Sequence, residues 1–154
     1  MTAETLVFRR AASGDLTTIV ALLADDPIGA GRENPGTELD TAYRDAFAAI
    51  DCDPNQLLAV AERGDEVIGV LQLSFIPGLT RRGMWRGQIE GVRVAAGERG
   101  SGVGRAILEW AIAECGKRGC GLLQLTSDKR RSEAHRFYEA LGLKATHEGY
   151  KLVL

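Results

Sequence analysis

Val92-Arg93-Val94, four further residues, then Arg99-Gly100-Ser101-Gly102-Val103-Gly104 and a run from Arg105 to Cys115 without proline or glycine: the order is that of a strand, a loop and a helix start. Glycines let such a loop turn with its N–H groups outward, and a helix N-terminus carries about half a positive charge, so the junction stabilises an anion. Arg99 and Arg105 add full charges beside it. Two other phosphate loops fail on the residues. The nucleoside-triphosphate loop ends in Gly-Lys-Ser/Thr, whereas Gly104 is followed by Arg105-Ala106. The dinucleotide fingerprint needs a third glycine where Arg105 stands, and it expects the loop near the start of a βαβ unit.

Downstream of the loop, Val103, Ile107, Ala111 and Cys115 recur at intervals of four with Leu108 beside them, which predicts a helix over 103–117 carrying Trp110 as a core residue. A strand follows at Leu122–Thr126. Ala134, Phe137, Tyr138 and Leu141 mark a last helix ended by Gly142 at C′, and a closing strand is expected over Tyr150–Leu154. Upstream of the loop, a strand ending at Val94 begins at Gln88. Before it, Leu57–Glu62 and Val67–Phe75 read as a hairpin turning at Arg63-Gly64-Asp65-Glu66. Leu16, Ile19, Val20 and Leu23 form the stripe of a first helix opened by Ser13 as N-cap. Leu39, Tyr43, Phe47 and Ile50 form that of a second helix capped by Thr37. A first strand at Leu6–Arg10 completes the order β-α-α-β-β-β-α-β-α-β, one mixed α/β domain over residues 1–154.

Composition narrows the class. A chain of 154 residues with 45% hydrophobic and 26% charged residues suits one globular domain rather than a disordered or fibrous chain. No apolar run approaches the length of a membrane span, and Met1–Asp15 carries charges where a signal peptide needs an apolar stretch, so a cytoplasmic location is expected. Cys52, Cys115 and Cys120 have neither metal-ligand spacing nor an even count and read as reduced thiols; no metal is expected. The net charge of −2 hides an asymmetry: residues 1–66 hold five Lys/Arg and thirteen Asp/Glu, residues 67–154 fourteen and eight. A basic half with a glycine-rich loop suits an anionic cofactor, and an acidic half could attract a cationic substrate, unless the halves interleave in space. The chain is slightly acidic overall, which disfavours a nucleic-acid partner.

The Arg-x-x-Gly-x-Gly spacing after a strand ending Val-x-Val, with the element order around it, resembles the GNAT (GCN5-related) N-acetyltransferases over essentially the whole chain. The resemblance implies a mostly antiparallel sheet with one parallel pair splayed at the coenzyme A site, flanked by four helices. It implies acetyl-CoA as co-substrate, with Arg99, Gly100, Ser101, Gly102, Val103 and Gly104 cradling its pyrophosphate. Val92, Arg93, Val94 and Arg105 are the neighbouring cofactor contacts.

Acetyl transfer to an amine needs a base for the ammonium, a donor to the thioester carbonyl and a proton for the leaving thiolate. Glu90 lies where the family frequently places its base; strand alternation alone also puts a polar residue there. Gly91 beside it would permit a bulge. The backbone N–H of Val92 or Val94 is the implied carbonyl donor. Ala134-x-x-Phe137-Tyr138-x-x-x-Gly142 resembles the family segment whose tyrosine is the general acid; Tyr138 also suits a core aromatic. The family's asparagine three residues before Ala134 is replaced by Arg131, which with Lys129, Arg130 and Arg136 forms a basic cluster suited either to CoA phosphates or to a solvated helix start.

Trp85, in the Arg81–Arg86 loop, is expected to wall the amine pocket or to meet a second copy, which leaves a homodimer open. Asp25, Asp26, Glu33 and Asp40 are the acidic candidates for a cationic acceptor. The expected reaction is direct transfer from acetyl-CoA to a primary amine of a small molecule or peptide. The alternative is a non-catalytic acyl-CoA sensor that binds a protein partner.

Overall fold

Two β-rich runs with Gly64-Asp65 between them can close only as a tight hairpin, and they do. In the computed structural model, which describes residues 5–154, β2 (Gln56–Arg63) and β3 (Glu66–Ile76) pair antiparallel around Gly64 at φ 59°. β1 (Leu6–Arg10) pairs antiparallel with β2, β4 (Arg86–Val94) antiparallel with β3, and β5 (Leu122–Leu125) lies parallel beside β4, giving the order β1-β2-β3-β4-β5. Contacts divide the chain into two compact units, Met1–Gln124 and Leu125–Leu154. The first four residues of the expected domain lie outside the described ones.

In the first unit the sheet is covered on both faces. Leu58, Val60 and Val70 point to the face taken by α1 (Leu16–Ala24), where Ile19 and Leu22 join them and Phe47 and Ile50 of α2 (Thr41–Cys52) pack alongside. The intervening residues Ala59, Ala61, Leu71, Leu73 and Phe75 are 0–2% exposed and face the other way, toward α3 (Val103–Lys117), the period of two being that of any strand. α3 lies close to the sheet. A Cβ at Gly69 would stand 2.7 Å from the Ile107 side chain, and one at Gly87 would collide with Cys115 Sγ. Trp110 of α3 stacks on Phe8 of β1 with ring centroids 5.3 Å apart.

Several expectations are corrected. α2 starts at Thr41 with Asp40 in the N-cap position, three residues beyond the expected cap Thr37; Leu39 is still buried, so its part of the stripe belongs to the approach to the helix. A 3-10 turn over Ser13–Asp15 precedes α1. Asp15 accepts the Ala12 N–H at 2.7 Å, and no side-chain cap comes from Ser13. The Thr80–Gly83 loop closes a turn in which Arg81, Arg82 and Gly83 all have positive φ (55°, 62° and 77°).

In the second unit, α4 (Ser132–Ala140) ends as Gly142 predicts. Gly142, at φ 90°, sends its N–H to Glu139 O, and Leu143 N–H reaches Tyr138 O, the two bonds of a Schellman motif. Among the described residues the closing strand is absent: Tyr150–Leu154 carries no strand pairing, and a strand exists only where a neighbouring edge takes its ladder bonds.

Candidate active site

Gly91 and the loop after β4 shape the centre of the first unit. Between Val70↔Arg93 and Gln72↔Glu90, two residue steps on β3 face three on β4, so β4 bulges at Gly91, which has φ 62°. A bulge leaves an extra residue outside the ladder and re-aims its neighbours. Glu90 is exposed there, and its carboxylate has no ion-pair partner among the described residues. The Ala95 N–H bonds Ile68 O at 2.8 Å on β3. By strand alternation the Val94 N–H therefore points away from β3.

Beyond Val94 a 3-10 turn over Ala96–Glu98 leads to the glycines. Gly100 (φ 79°) and Gly102 (φ 91°, the N-cap of α3) adopt left-handed conformations, and an added Cβ at either would meet nothing within 4 Å. Glycine is needed there for its backbone angles rather than for packing, and the space outside the loop is open. The N–H groups of Gly102, Val103, Gly104 and Arg105 are the first of the helix and have no carbonyl within it to bond. Gly102 has no side chain to cap them. An anion fits this cradle. The Ser101 hydroxyl donates to Glu98 O at 2.6 Å, bracing the loop from within.

Arg93, Arg99 and Arg105, expected near the cofactor, each have an acidic partner. Arg99 donates to Val94 O (3.2 Å), to Asp25 O (2.8 Å) and to the Asp25 carboxylate (2.9 Å), tying the loop to the end of α1. Arg93 Nε lies 2.8 Å from Asp26 Oδ2, a largely buried pair with side chains 15% and 11% exposed, and also donates to Val92 O. Asp26 Oδ1 accepts the N–H groups of Ile28 and Gly29. Arg105 pairs with Glu109 one turn along α3.

Asp25 and Asp26, expected to meet a cationic substrate, are thus partnered by the basic half of the chain. Glu33 accepts the Tyr43 hydroxyl at 2.9 Å and pairs with Arg32, and Asp40 accepts from Asn34 Nδ2 at 3.1 Å. The halves interleave, and the charge asymmetry is partly neutralised by these contacts. The bracing role of Asp26 and Arg93 is not visible in the sequence, because 67 positions separate two ordinary charged residues; only their opposite signs, in segments flanking the site, hint at it.

Trp85 is 38% exposed, and its carbonyl accepts the Gly121 N–H at 2.8 Å, so the Arg81–Arg86 loop is docked at the start of β5. Gln124 Nε2 donates to Gln88 Oε1 at 2.8 Å, a side-chain bridge between the parallel strands.

In the second unit, Tyr138 is half-buried on α4, its ring 5.4 Å from that of Phe137. Arg131 occupies the N-cap position of α4. Of the basic cluster, Lys129 pairs with Glu148 at 3.3 Å, and Arg130 chelates Asp128 at 2.7–2.9 Å. The Arg130 hydrogen bonds hold the Asp128 carboxyl well below the usual carboxylate range. His135 Nε2 lies 2.9 Å from Asp128 O, a structural contact.

All three cysteines are free thiols. Burial, then the neighbouring Cys120, pushes the Cys115 thiol up to about 11, which makes it a packing residue rather than a nucleophile.

The sequence matches the acetyltransferase (GNAT) family model over residues 16–143. It is 34% identical over 140 residues to the aminoalkylphosphonate N-acetyltransferase of Salmonella typhimurium, covering 90% of this chain and 85% of that one. A crystal structure of a Bacillus halodurans protein described as a transcriptional regulator superposes with a TM-score of 0.94 at 47% identity, covering 97% of this chain and all of that one. Glucosamine-6-phosphate N-acetyltransferase from Arabidopsis thaliana shares the fold alone, with a TM-score of 0.78 at 20% identity over 97% and 99% of the two chains. With the bulged strand, the glycine loop at a helix start and the matching family model, the chain belongs to the GNAT family and is an N-acetyltransferase.

Proposed function

We propose that this enzyme acetylates the primary amine of a small molecule by direct attack on acetyl-CoA, working as one domain over residues 1–154 in the cytoplasm. The observation that carries the reading is the cradle from Arg99 to Gly104, with unbonded helix-start N–H groups next to a bulged strand bearing a free carboxylate. Acetyl-CoA, when bound, supplies an activated acyl carbon and a thiolate leaving group. The N–H groups of the loop hold the pyrophosphate, with Arg99 and Arg105 at its flanks and Arg131 as a further contact in place of the family's asparagine. Val92, Arg93 and Val94 line the acyl arm, and the Val92 or Val94 N–H donates to the carbonyl oxygen as it gains charge. Glu90 takes the proton from the ammonium, directly or through a water. Tyr138 Oη donates a proton to the thiolate. No step needs a metal.

The Salmonella relative acts, by its name, on aminoalkylphosphonates, which makes small amines bearing an acidic group the first acceptors to try. A free-thiol release assay over a panel of such amines, amino sugars, polyamines and peptides tests the proposal. Turnover with a small amine is expected; CoA binding without thiol release from any acceptor would leave a sensor. Tyr138→Phe is expected to keep CoA affinity and to lower kcat by about 10²-fold or more, the mark of a group used only in the transition state. Unchanged turnover would remove Tyr138 from the mechanism.

A further inference from the structure

Up to its bulge, β4 alternates regularly. Gly87 and Ile89 are buried, and Gly87 lies against Cys115 of α3. Arg86, Gln88 and Glu90 therefore point to the opposite face of the sheet, the one that carries α1. Unbroken pairing sets Arg86 opposite Ile76, Gln88 opposite Ser74 and Glu90 opposite Gln72. The apolar residues packed under α1 stop at Leu58 on β2 and Val70 on β3. Beyond them, toward the loop between β3 and β4, the same face carries Gln56, Gln72, Ser74 and Gln88.

These polar side chains are joined across the strands. Gln56 Oε1 accepts from Gln72 Nε2 at 3.0 Å and from the Ser74 hydroxyl at 2.9 Å, and Gln124 of β5 donates to Gln88. A glutamine amide offers two N–H donors and an oxygen with two lone pairs, more than these contacts use. Glu90 stands at one end of the row. At the other stands Arg86, half-buried, its guanidinium beside Gly78 and without an ion pair or hydrogen bond among the described residues. The other half-buried arginines of the first unit, Arg9, Arg63 and Arg93, each hold a carboxylate. A charge taken partly out of water is ordinarily paired, so Arg86 lacks the anion that its counterparts have.

We infer that Arg86 and Gln88 hold an anionic group of the acceptor whose amine lies at Glu90, so that the enzyme prefers primary amines bearing an acid. The inference rests on the acetyl-transfer reading above, with Glu90 as the base. Strand rise sets Gln88 about 7 Å and Arg86 about 13 Å from Glu90 at the backbone, and the long arginine stem spans part of that distance. The charges run in the order such an acceptor needs: a carboxylate for the ammonium, neutral amides along the chain, a guanidinium for the acid. The planar fork of a guanidinium binds carboxylate and phosphonate oxygens alike, through paired charge-assisted hydrogen bonds.

The test measures thiol release from acetyl-CoA with three acceptors of equal chain length: an alkylamine, an ω-amino carboxylate and an ω-aminoalkylphosphonate. At least one acid is expected to exceed the alkylamine in kcat/KM by about tenfold or more, the worth of a hydrogen bond to a charged group, and the better acid names the group. Arg86→Ala is expected to bring the ratio of acidic to neutral acceptor close to one, and Gln88→Leu to lower it. Because both acceptors are measured on one preparation, the ratio does not depend on how much of a variant folds. Should Arg86→Ala not fold at all, Arg86→Gln removes the charge and keeps the polar stem. Turnover without preference for either acid, or a preference that survives loss of the Arg86 charge, would overturn the inference while leaving acetyl transfer intact. Thiol release from none of the three, nor from the wider acceptor panel, would overturn the acetyl-transfer reading and this inference with it.

Discussion

Single residues at this site differ in whether their side chain or their backbone matters. Glu90, proposed as the base, has its carboxylate exposed beside the bulge and without an ion-pair partner among the described residues. Glu90→Gln keeps shape and removes the proposed base. The low-pH limb of the kcat/KM profile should vanish while activity falls about 10²-fold; a superimposable profile would assign the proton to water or to another group. Arg81 and Arg82 illustrate the other case, because both have left-handed backbone angles and, among the described residues, no ion-pair or hydrogen-bond partner for their guanidinium groups. Such angles cost a residue with a Cβ roughly 1 kcal/mol. Arg81→Gly should therefore leave stability unchanged or raise it by up to about 1 kcal/mol in urea unfolding, the relief of strain being offset by the entropy of a freer unfolded chain. A clear loss would mean that the arginine makes a contact worth more than its strain. Neither property could be read from the residue names. A glutamate on a strand and an arginine in a loop are ordinary until the backbone around them is known.

At the level of elements, the glycine loop is held by pairs that cross from one part of the sequence to another. Asp26 joins the segment after α1 to β4 through Arg93, while its other oxygen caps Ile28 and Gly29. Removing one partner of a largely buried pair leaves the other charge stranded, which costs about 3 kcal/mol, whereas replacing both with apolar groups of similar volume is often near neutral. Asp26→Ala should thus lower the urea midpoint markedly and weaken CoA binding, and Asp26→Ala/Arg93→Met should recover much of the stability. Equal loss in the single and double variants would show that the pair contributes only through the caps. The first strand and helix are joined in the same way, by Arg9 with Asp15 at 2.7 Å and with Glu62. The Arg9 hydrogen bond, helped by the Ala12 N–H, holds the Asp15 carboxyl below its ordinary value against the opposing effect of burial. Because the folded-state value lies below the unfolded one, the carboxylate contributes stability above about pH 4 and loses it as pH falls through the lower folded value. The difference in urea midpoint between the parent and Asp15→Asn should be full at pH 7 and shrink progressively below pH 4; a gap that persists at pH 2 would assign the effect to packing.

On the scale of the whole molecule, the first unit is a sheet with helices on both faces, and its apolar residues alone specify most of it. The stripes of α1 and α3, the alternation of β2 and β3, and the two-residue Gly64-Asp65 turn are local patterns with periods of 3.6 and 2, so sequence was enough to place them. It was enough, too, for the shape of the glycine loop, since left-handed glycines ahead of a helix start are local features. The resemblance to the GNAT family rested on that loop, and the family match over residues 16–143 bears it out. Other features depended on partners far away in the chain. The start of α2 moved from Thr37 to Asp40, because propensity marks a cap but packing chooses where a helix begins. The acidic residues expected to draw a cationic amine are matched by Arg99, Arg93, Arg32, Tyr43 and Asn34, and such pairing depends on which side chains the fold brings within a few ångströms. Tyr150–Leu154 shows the division most plainly. Its sequence determined that it can form a strand. Only the tertiary structure decided that it takes up no strand pairing among the described residues, because a strand's hydrogen bonds are made with a neighbour and its own residues cannot supply one.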